Sequence, residues 1–472
     1  MKKAIILTGA FIFISSLLFA QRLVIHQVPN ELVYARHNDD YTVQVRQIGG
    51  KWQDLYDYNV QVDMDNPQNA SMVQFDFSGT VEVKVRKNNG TLHQVRIRPA
   101  IADIQPKING NTFTFILTEP KKLSIETNGD TRHNLHLFAN PLETNIPDPK
   151  DPNVIYFGPG VHKPKDLPGD VFVIPSNKTV YLAGGAVLQG KLLCNKVENV
   201  KICGRGIIDQ PIRGVEISHS KNISIDGITV LNPRHYTIYL GESQNVSVKN
   251  LKSFSCGSWT DGIDMMSCSD VEIEDVFLRT SDDCLAIYGH RWGFYGGSKN
   301  VKVSKAILWA DVAHPVNIGL HGDTGDTGDV IENIRFKDID ILEHDEDDRN
   351  SQGCISICAG DFNLVRNVLF EDVWISDFEE GQLFNLRIIE HPKYTTGPGR
   401  GIENITFKNI TYNGNADNGS VIAGFDSNRL VKDIKFENLQ INGKLIMDAA
   451  SANFEIGKFV KDVKFGTTEE VQ

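Results

Sequence analysis

The chain has 472 residues, with 60 Asp and Glu against 48 Lys and Arg, a formal net charge of −12, 40 Gly, 18 Pro and 7 Cys. This composition excludes a collagen, a disulfide-dense mini-protein and a wholly disordered chain, while the length allows two or three domains or one long solenoid. The acidic balance supplies no reservoir of cations for counterion release, which argues against nucleic acid as a partner.

Residues 1–20 read as a secretory signal peptide, with Lys2 and Lys3, an apolar run from Ala4 to Phe19, and Ala20 before Gln21. The run is short for a membrane span and is broken by Thr8, Gly9, Ser15 and Ser16, so a retained anchor is the lesser reading. An exported protein, periplasmic or extracellular and without stable membrane insertion, is therefore expected. The cysteines, Cys194, Cys203, Cys256, Cys268, Cys284, Cys354 and Cys358, all lie in the middle of the chain. Their odd number leaves at least one free thiol, no spacing forms a paired CxxC site, and they read as small apolar residues of a stacked core.

Residues 21–142 read as a small antiparallel β-sandwich. Strands are expected at Tyr41–Gln47, Val60–Met64, Met72–Phe77, Thr80–Arg86, Gln94–Arg98, Thr112–Leu117 and Lys122–Thr127, separated by turn signals such as Gly49-Gly50 and Asn128-Gly129. A passage with Pro147, Pro149 and Pro152 makes residues 143–160 a linker into the longer C-terminal part.

From residue 161 to the end one pattern keeps returning: Asn or Asp, a β-branched residue, a further residue, then a β-branched or aromatic residue. Its markers are Asn199, Asn222, Asn245, Asp270, Asn300, Asn333, Asn367, Asn404 and Asp433. Every step between them falls in the range of about 20 to 40 residues that, with one strand signature per period, marks a solenoid. The absence of an amphipathic helix in the repeat leaves an all-β fold, a right-handed parallel β-helix, in which rungs stack ~4.8 Å apart. The steps lengthen from Asn245 to Asn404, which places inserted loops, and with them a groove, in the middle to late coils.

Two neighbouring rungs carry Thr260-Asp261-Gly262-Ile263-Asp264 and Ser281-Asp282-Asp283-Cys284. Asp261 and Asp282 are separated by close to one short coil, so stacking should bring their carboxylates together. Paired carboxylates at that range are the machinery of glycoside hydrolysis: like-charge crowding raises one pKa and keeps a proton available. Consecutive strand residues face opposite ways, so Asp282 and Asp283 reach one groove only if the backbone turns or bulges there. His314 follows its marker Asn300 at nearly the distance at which Asp282 follows Asp270, in phase to donate to a carboxylate. Arg387, in a lengthened coil, could reach the same groove. His321, Tyr288, His290, Arg291, Trp292 and Tyr295 follow the acid cluster and could contact sugar rings. Asp323, Asp326 and Asp329 could hold Ca²⁺, although a solvated Gly-Asp loop is the simpler reading, and the same holds for Asp345-Glu346-Asp347-Asp348.

As a set, Thr260-Asp261-Gly262, Asp282-Asp283, His314 before Asn317-Ile318-Gly319, and Arg387-Ile388 resemble glycoside hydrolase family 28, the polygalacturonases. The resemblance implies a pectin-lyase-like β-helix and hydrolysis with inversion, with Asp282 as general acid and Asp261 and Asp283 holding the attacking water. It gives His314 a supporting role and Arg387 a place at the scissile subsites, and it requires no organic cofactor and no metal. Three positions depart from the family pattern: Trp259 stands in place of Asn, Ala313 and Pro315 flank His314 in place of glycines, and Ile389 stands in place of a uronate-binding Lys. The sandwich ahead of the helix and the segment Val180–Gly185 also look like clan relative family 49, the dextranases and isopullulanases, so a neutral α-glucan is the alternative to a pectin-type substrate. A polysaccharide lyase and a carbohydrate-binding β-helix without chemistry are further alternatives.

Overall fold

The computed structural model describes residues 22–164, 170–323, 325, 327–415 and 418–471. The expected signal peptide, and Asp326 of the Gly-Asp loop, lie outside the described residues.

The first part is built from two facing sheets. One runs in the order Arg22–Val24, Gln68–Ser78, Asp130–Pro141, Lys121–Thr127, Val95–Arg98, with Tyr58–Val62 also paired to Gln68–Ser78. The other runs Gln53–Asp54, Tyr41–Gln47, Val81–Lys87, Thr112–Leu117, Lys107–Asn109. Alternate residues, among them Val43, Val83 and Phe113 from one sheet and Phe75, Leu135 and Leu137 from the other, meet in a common core, as the period-2 pattern requires. The expected strands are present, with Tyr41–Gln47 and Thr112–Leu117 bounded as expected. Asp130–Pro141 is an additional strand, and its pairing with Gln68–Ser78 is parallel where the other described pairings of the sandwich are antiparallel.

The solenoid begins within the expected linker, where Val154–Phe157 pairs with Thr179–Leu182. It comprises a 20-stranded and an 11-stranded sheet. All their described pairings are parallel apart from the late hairpin Gln440–Ile441 with Lys444–Leu445. The repeat markers have a direct physical explanation. Asn199, Asn222, Asn245, Asp270, Asn300, Asn333, Asn367, Asn404 and Asp433 all adopt the left-handed conformation, with φ between 54° and 58°. Among L-residues, Asn and Asp tolerate this best. Their side chains also climb the solenoid as a ladder: Asn222 donates to Asn199 at 2.9 Å, Asn245 to Asn222 at 2.8 Å, Asn300 to Asp270 at 2.9 Å and Asn404 to Asn367 at 2.8 Å. Inside, Phe336, Phe370, Phe407, Phe436 and Phe465 stack ring on ring at 4.4–5.4 Å. Six of the cysteines are buried as expected, Cys256 is half-buried, and all seven are free thiols.

The sandwich is fused to the solenoid by a second apolar core, in which Val60, Val62, Met72 and Phe138 meet Phe254, Phe277, Ile307 and Trp309. This explains why Asp130–Pro141 is buried along most of its length: Leu135 and Leu137 face the sandwich core and Phe138 the solenoid. Arg98 and Arg279 lie over the Trp309 ring at 4.5 and 4.1 Å. Arg279 forms a bidentate pair with Asp311 at 2.8 Å on both arms and donates to Asn134 of the sandwich, and Arg98 pairs with Glu126, so both arginines are matched by a carboxylate. No described helix is long and apolar enough to cross a membrane.

The left-handed markers yield a test of the ladder. Asn333→Ala is expected to destabilise the protein about 1 kcal/mol more than Asn333→Gly, because both lose the amide bonds but only alanine is strained at φ 58°. Urea unfolding midpoints read the difference, and equal losses would mean that the amide ladder alone selects the residue.

Candidate active site

The 11-stranded sheet aligns Ile263 with Leu285, and Leu285 with Val316. Continuing that register toward the start of each rung brings Asp261, Asp283 and His314 to one position on three consecutive rungs. The backbone bonds Gly262 N–H to Asp283 O and Cys284 N–H to His314 O, both 2.8 Å, carry the alignment. Asp283 is the residue in register with Asp261, because the coil is slightly longer than the spacing from Asp261 to Asp282, and the expected meeting of Asp261 with Asp282 is still present. Asp282 and Asp283 sit in the turn between Phe277–Thr280 and Leu285–Tyr288, which is how both enter the groove. Gly262 is required by the close approach of the rungs: a β-carbon there would fall 2.2 Å from the Cys284 carbonyl oxygen.

The three carboxyl groups Asp261, Asp282 and Asp283 each offer an oxygen, and these oxygens lie within 4.8 Å of one another. They line a cleft of about 510 Å³ together with Met64, Trp259, Tyr288, Arg291, His314, His321, Glu346, Asp347, Asp348, Ile389, Lys393 and Tyr394. A triangle with sides no longer than this has its centre at most about 2.8 Å from each corner, so one water oxygen can hydrogen-bond to all three. The same oxygens could also hold a divalent cation, as could His26, Asp76 and Glu143 between the sandwich and the solenoid.

The carboxyl groups differ in ionisation because their donors differ. Asp283 accepts four hydrogen bonds: from His314 Nδ1 at 2.6 Å, the His314 backbone N–H at 3.2 Å, Asn317 Nδ2 at 2.8 Å and the Tyr288 hydroxyl at 3.1 Å. Burial alone would raise its pKa, but the His314 imidazolium and the other donors outweigh burial and hold Asp283 below the usual range. His314 also faces the Ser351 carbonyl oxygen through Nε2 at 2.5 Å. Both ring nitrogens therefore face acceptors, which requires the doubly protonated ring. Burial works against the charge, and Asp283 overrides it and lifts His314 to about 10.

Among the described residues Asp282 accepts from the Trp259 backbone N–H at 3.1 Å and the Asp283 backbone N–H at 2.9 Å. Burial, then the Asp283 charge, raise it to about 6. Asp261 is raised well above the carboxylate range by burial, then by Asp264, Asp282 and Asp283. Asp264 is fully buried and raised in the same way; its nearest cation is Arg291 at 3.6 Å. With few donors at hand, Asp261 and Asp264 are both pushed toward the protonated form.

The remaining expected residues divide. Tyr288 and Arg291 line the cleft, the first as a donor to Asp283 and the second packed over the Tyr288 ring at 4.8 Å. His321 lines it as a neutral ring, pushed down to about 3 by burial and then by Arg291. Trp292 is not among the lining residues; its ring stacks on Tyr239 at 5.6 Å. Arg387 is not among them either. Its guanidinium donates to Asn385 Oδ1 at 2.7 Å and to the Asn350 carbonyl oxygen, so it fastens the loop that also carries Ser351. In the Gly-Asp loop, Asp329 accepts from the backbone N–H groups of His290 at 2.7 Å and Asp323 at 2.8 Å.

Several site residues escape sequence reasoning. Glu346, Asp347 and Asp348 line the cleft, a placement the sequence did not signal, while Asp347 and Asp348 stay exposed as expected of a solvated acidic run. Met64 comes from the sandwich, and its backbone N–H donates to Ser281 Oγ at 3.0 Å, next to Asp282; nothing in the sequence joins positions so far apart.

Known proteins resemble this chain in sequence and in fold. Exopolygalacturonase B of Aspergillus niger is 23% identical over 220 residues, 43% of this chain and 47% of its own. Endopolygalacturonase B of the same fungus is 24% identical over 233 residues, 48% of this chain and 54% of its own. The chain thus spans about half the length of these curated relatives. The solved structure of Dex49A from Penicillium minioluteum superposes with a TM-score of 0.63 at 15% identity, covering 93% of this chain and 96% of that one, and so shares the whole two-part fold. The family model described as glycosyl hydrolases family 28 matches residues 175–457, more than half of the sequence, and the chain belongs to that family.

Proposed function

We propose that the chain is an exported inverting glycoside hydrolase that cleaves an α-linked polysaccharide of the pectin type by general acid and base catalysis. The observation that carries this reading is the meeting of three carboxyl oxygens within 4.8 Å in a cleft, one carboxyl held ionised by an imidazolium and one raised to about 6. The polygalacturonases it resembles support the substrate class, and Lys2, Lys3 and the apolar run after them support export.

In the proposed reaction the protonated Asp282 gives its proton to the glycosidic oxygen as the bond to the anomeric carbon breaks. A water held by Asp283 and oriented by Asp261 attacks that carbon from the opposite face and passes a proton to Asp283. Exchange with solvent returns both groups to their starting states. His314 keeps Asp283 ionised between turnovers, which makes it a positioning residue.

One observation favours a second stereochemical reading. Acid and base in inverting enzymes usually stand ~6.5–9.5 Å apart, and retaining pairs ~5–5.5 Å; the oxygens here are closer than the inverting range. Inversion in this site requires the water to lie among the carboxylates rather than across from them. Nuclear magnetic resonance of the first product formed is expected to show the β anomer from an α-linked substrate, and the α anomer would replace water attack by a covalent route.

Three further outcomes are expected. Asp282→Asn should leave the melting temperature near that of the parent and reduce kcat about 10²–10⁴-fold, with new reducing ends and no ultraviolet absorbance of unsaturated product from the parent enzyme; such absorbance would make the protein a lyase. kcat/KM should fall about tenfold per pH unit above about 6 as Asp282 loses its proton. His314→Gln should lower the rate and move the acidic limb to higher pH, because Asp283 without its cation takes up a proton more readily; a pH profile unchanged in this variant would remove His314 from the mechanism.

A further inference from the structure

Trp259 combines three features that its neighbours do not. It is half exposed, at 49%, and lines the cleft beside Asp261, Asp282 and Met64. Its backbone N–H donates to Asp282 Oδ2 at 3.1 Å. Its φ is 62°, in the left-handed region where a bulky side chain is out of place and persists only when its surroundings over-determine it. The surroundings do so: Ser255 Oγ donates to the Thr260 carbonyl at 2.5 Å, and Thr260 Oγ1 donates to the Gly257 carbonyl at 2.6 Å.

The backbone requirement explains the conformation but not the side chain. Glycine or asparagine would meet the same φ and present the same N–H with less strain. An indole here costs strain and leaves apolar surface in water, so its use lies outside the folded chain. Trp292 is exposed to the same 49% but lies against Tyr239, with the Arg291 guanidinium at 4.7 Å. Among the described residues no ring or cation is stacked on Trp259. Met64 and Ile389 extend the apolar part of the same cleft.

We infer that Trp259 is a sugar-binding platform: its indole stacks against the apolar C–H face of the pyranose ring beside the scissile bond, while its backbone N–H aims Asp282 at that bond. A flat aromatic surface next to polar groups suits a ring whose faces are apolar and whose rim carries hydroxyls. The placement beside the scissile bond rests on the hydrolase reading; the stacking itself does not.

Glycine at this position separates the two roles, since it keeps the N–H and relaxes the strain while deleting the indole. Calorimetric titration of the Asp282→Asn protein is made with tetrasaccharides of polygalacturonate, rhamnogalacturonan, dextran and pullulan. The tightest binder is then titrated into the same protein carrying Trp259→Gly or Trp259→Phe. The expected result is a loss of about tenfold or more in affinity for glycine and a smaller loss for phenylalanine, with the melting temperature of the glycine variant equal to or above that of its parent. In the otherwise unaltered enzyme, Trp259→Gly should raise KM and leave the fall in rate above about pH 6 in place, because the N–H to Asp282 is retained. Affinity within twofold of the parent, a loss accompanied by a lower melting temperature, or no binding of any of the four sugars would overturn the platform. Tight binding sensitive to Trp259 without hydrolysis by the unaltered enzyme would overturn the hydrolase reading and leave the platform standing.

Discussion

The parallel ladder between successive rungs is the constraint on which the rest of this molecule depends. Each rung hydrogen-bonds to the next in a fixed register, so a position on one coil lies over the same position on the next at about 4.8 Å. Asp261, Asp283 and His314 become neighbours for that reason alone, although each stands on a different rung, a full coil of chain from the next. A slip of one residue in any rung would turn these side chains to the other face. The Asn and Asp ladder on the outside opposes such a slip along the solenoid, and the phenylalanine stack from Phe336 to Phe465 opposes it in the later rungs, because each works only when neighbouring rungs present matching residues at the same place.

Within that frame the ionisation of the site follows from the supply of donors. Asp283 has four, one of them an imidazolium, and stays ionised despite its burial. Asp282 has two backbone N–H groups and a like charge beside it, and retains its proton into the range where an acid is useful. Asp261 and Asp264 have little but each other and Arg291. Four carboxyl groups of one residue type thus occupy different protonation states, and the difference is written in the backbone turns and the neighbouring rungs rather than in the aspartates themselves.

The sandwich takes part in this arrangement. Its docking on the solenoid buries Phe138 and Trp309 in one core and sets Arg279 between Asn134 and Asp311. Arg279 begins the short stretch Thr280-Ser281 that leads to Asp282, and the Met64 N–H holds Ser281 from the sandwich side. The acid is therefore positioned from two directions, by its own solenoid and by a separate pair of sheets.

Much of the fold is legible in the sequence because its signals are local or periodic: alternation for the sandwich strands, a left-handed Asn or Asp once per rung for the solenoid, and the Asp261, Asp282, Asp283 and His314 motifs for the site. The exact register is not, since counting from markers is blurred wherever a rung carries an inserted loop, and such counting sets Asp282 rather than Asp283 in step with Asp261. Arg387 escapes for a related reason: its place on the sheet is visible, but the carbonyl of Asn350 that claims its guanidinium arrives from a loop whose path no periodicity describes. The architecture and the chemical cast of the site are written in short segments of the chain, because hydrophobic period and backbone conformation are local properties. Which aspartate keeps its proton, the placing of the acidic run at 346–348 on the cleft and the part of Met64 in the site come instead from long-range packing, which alone brings the necessary donors and surfaces together.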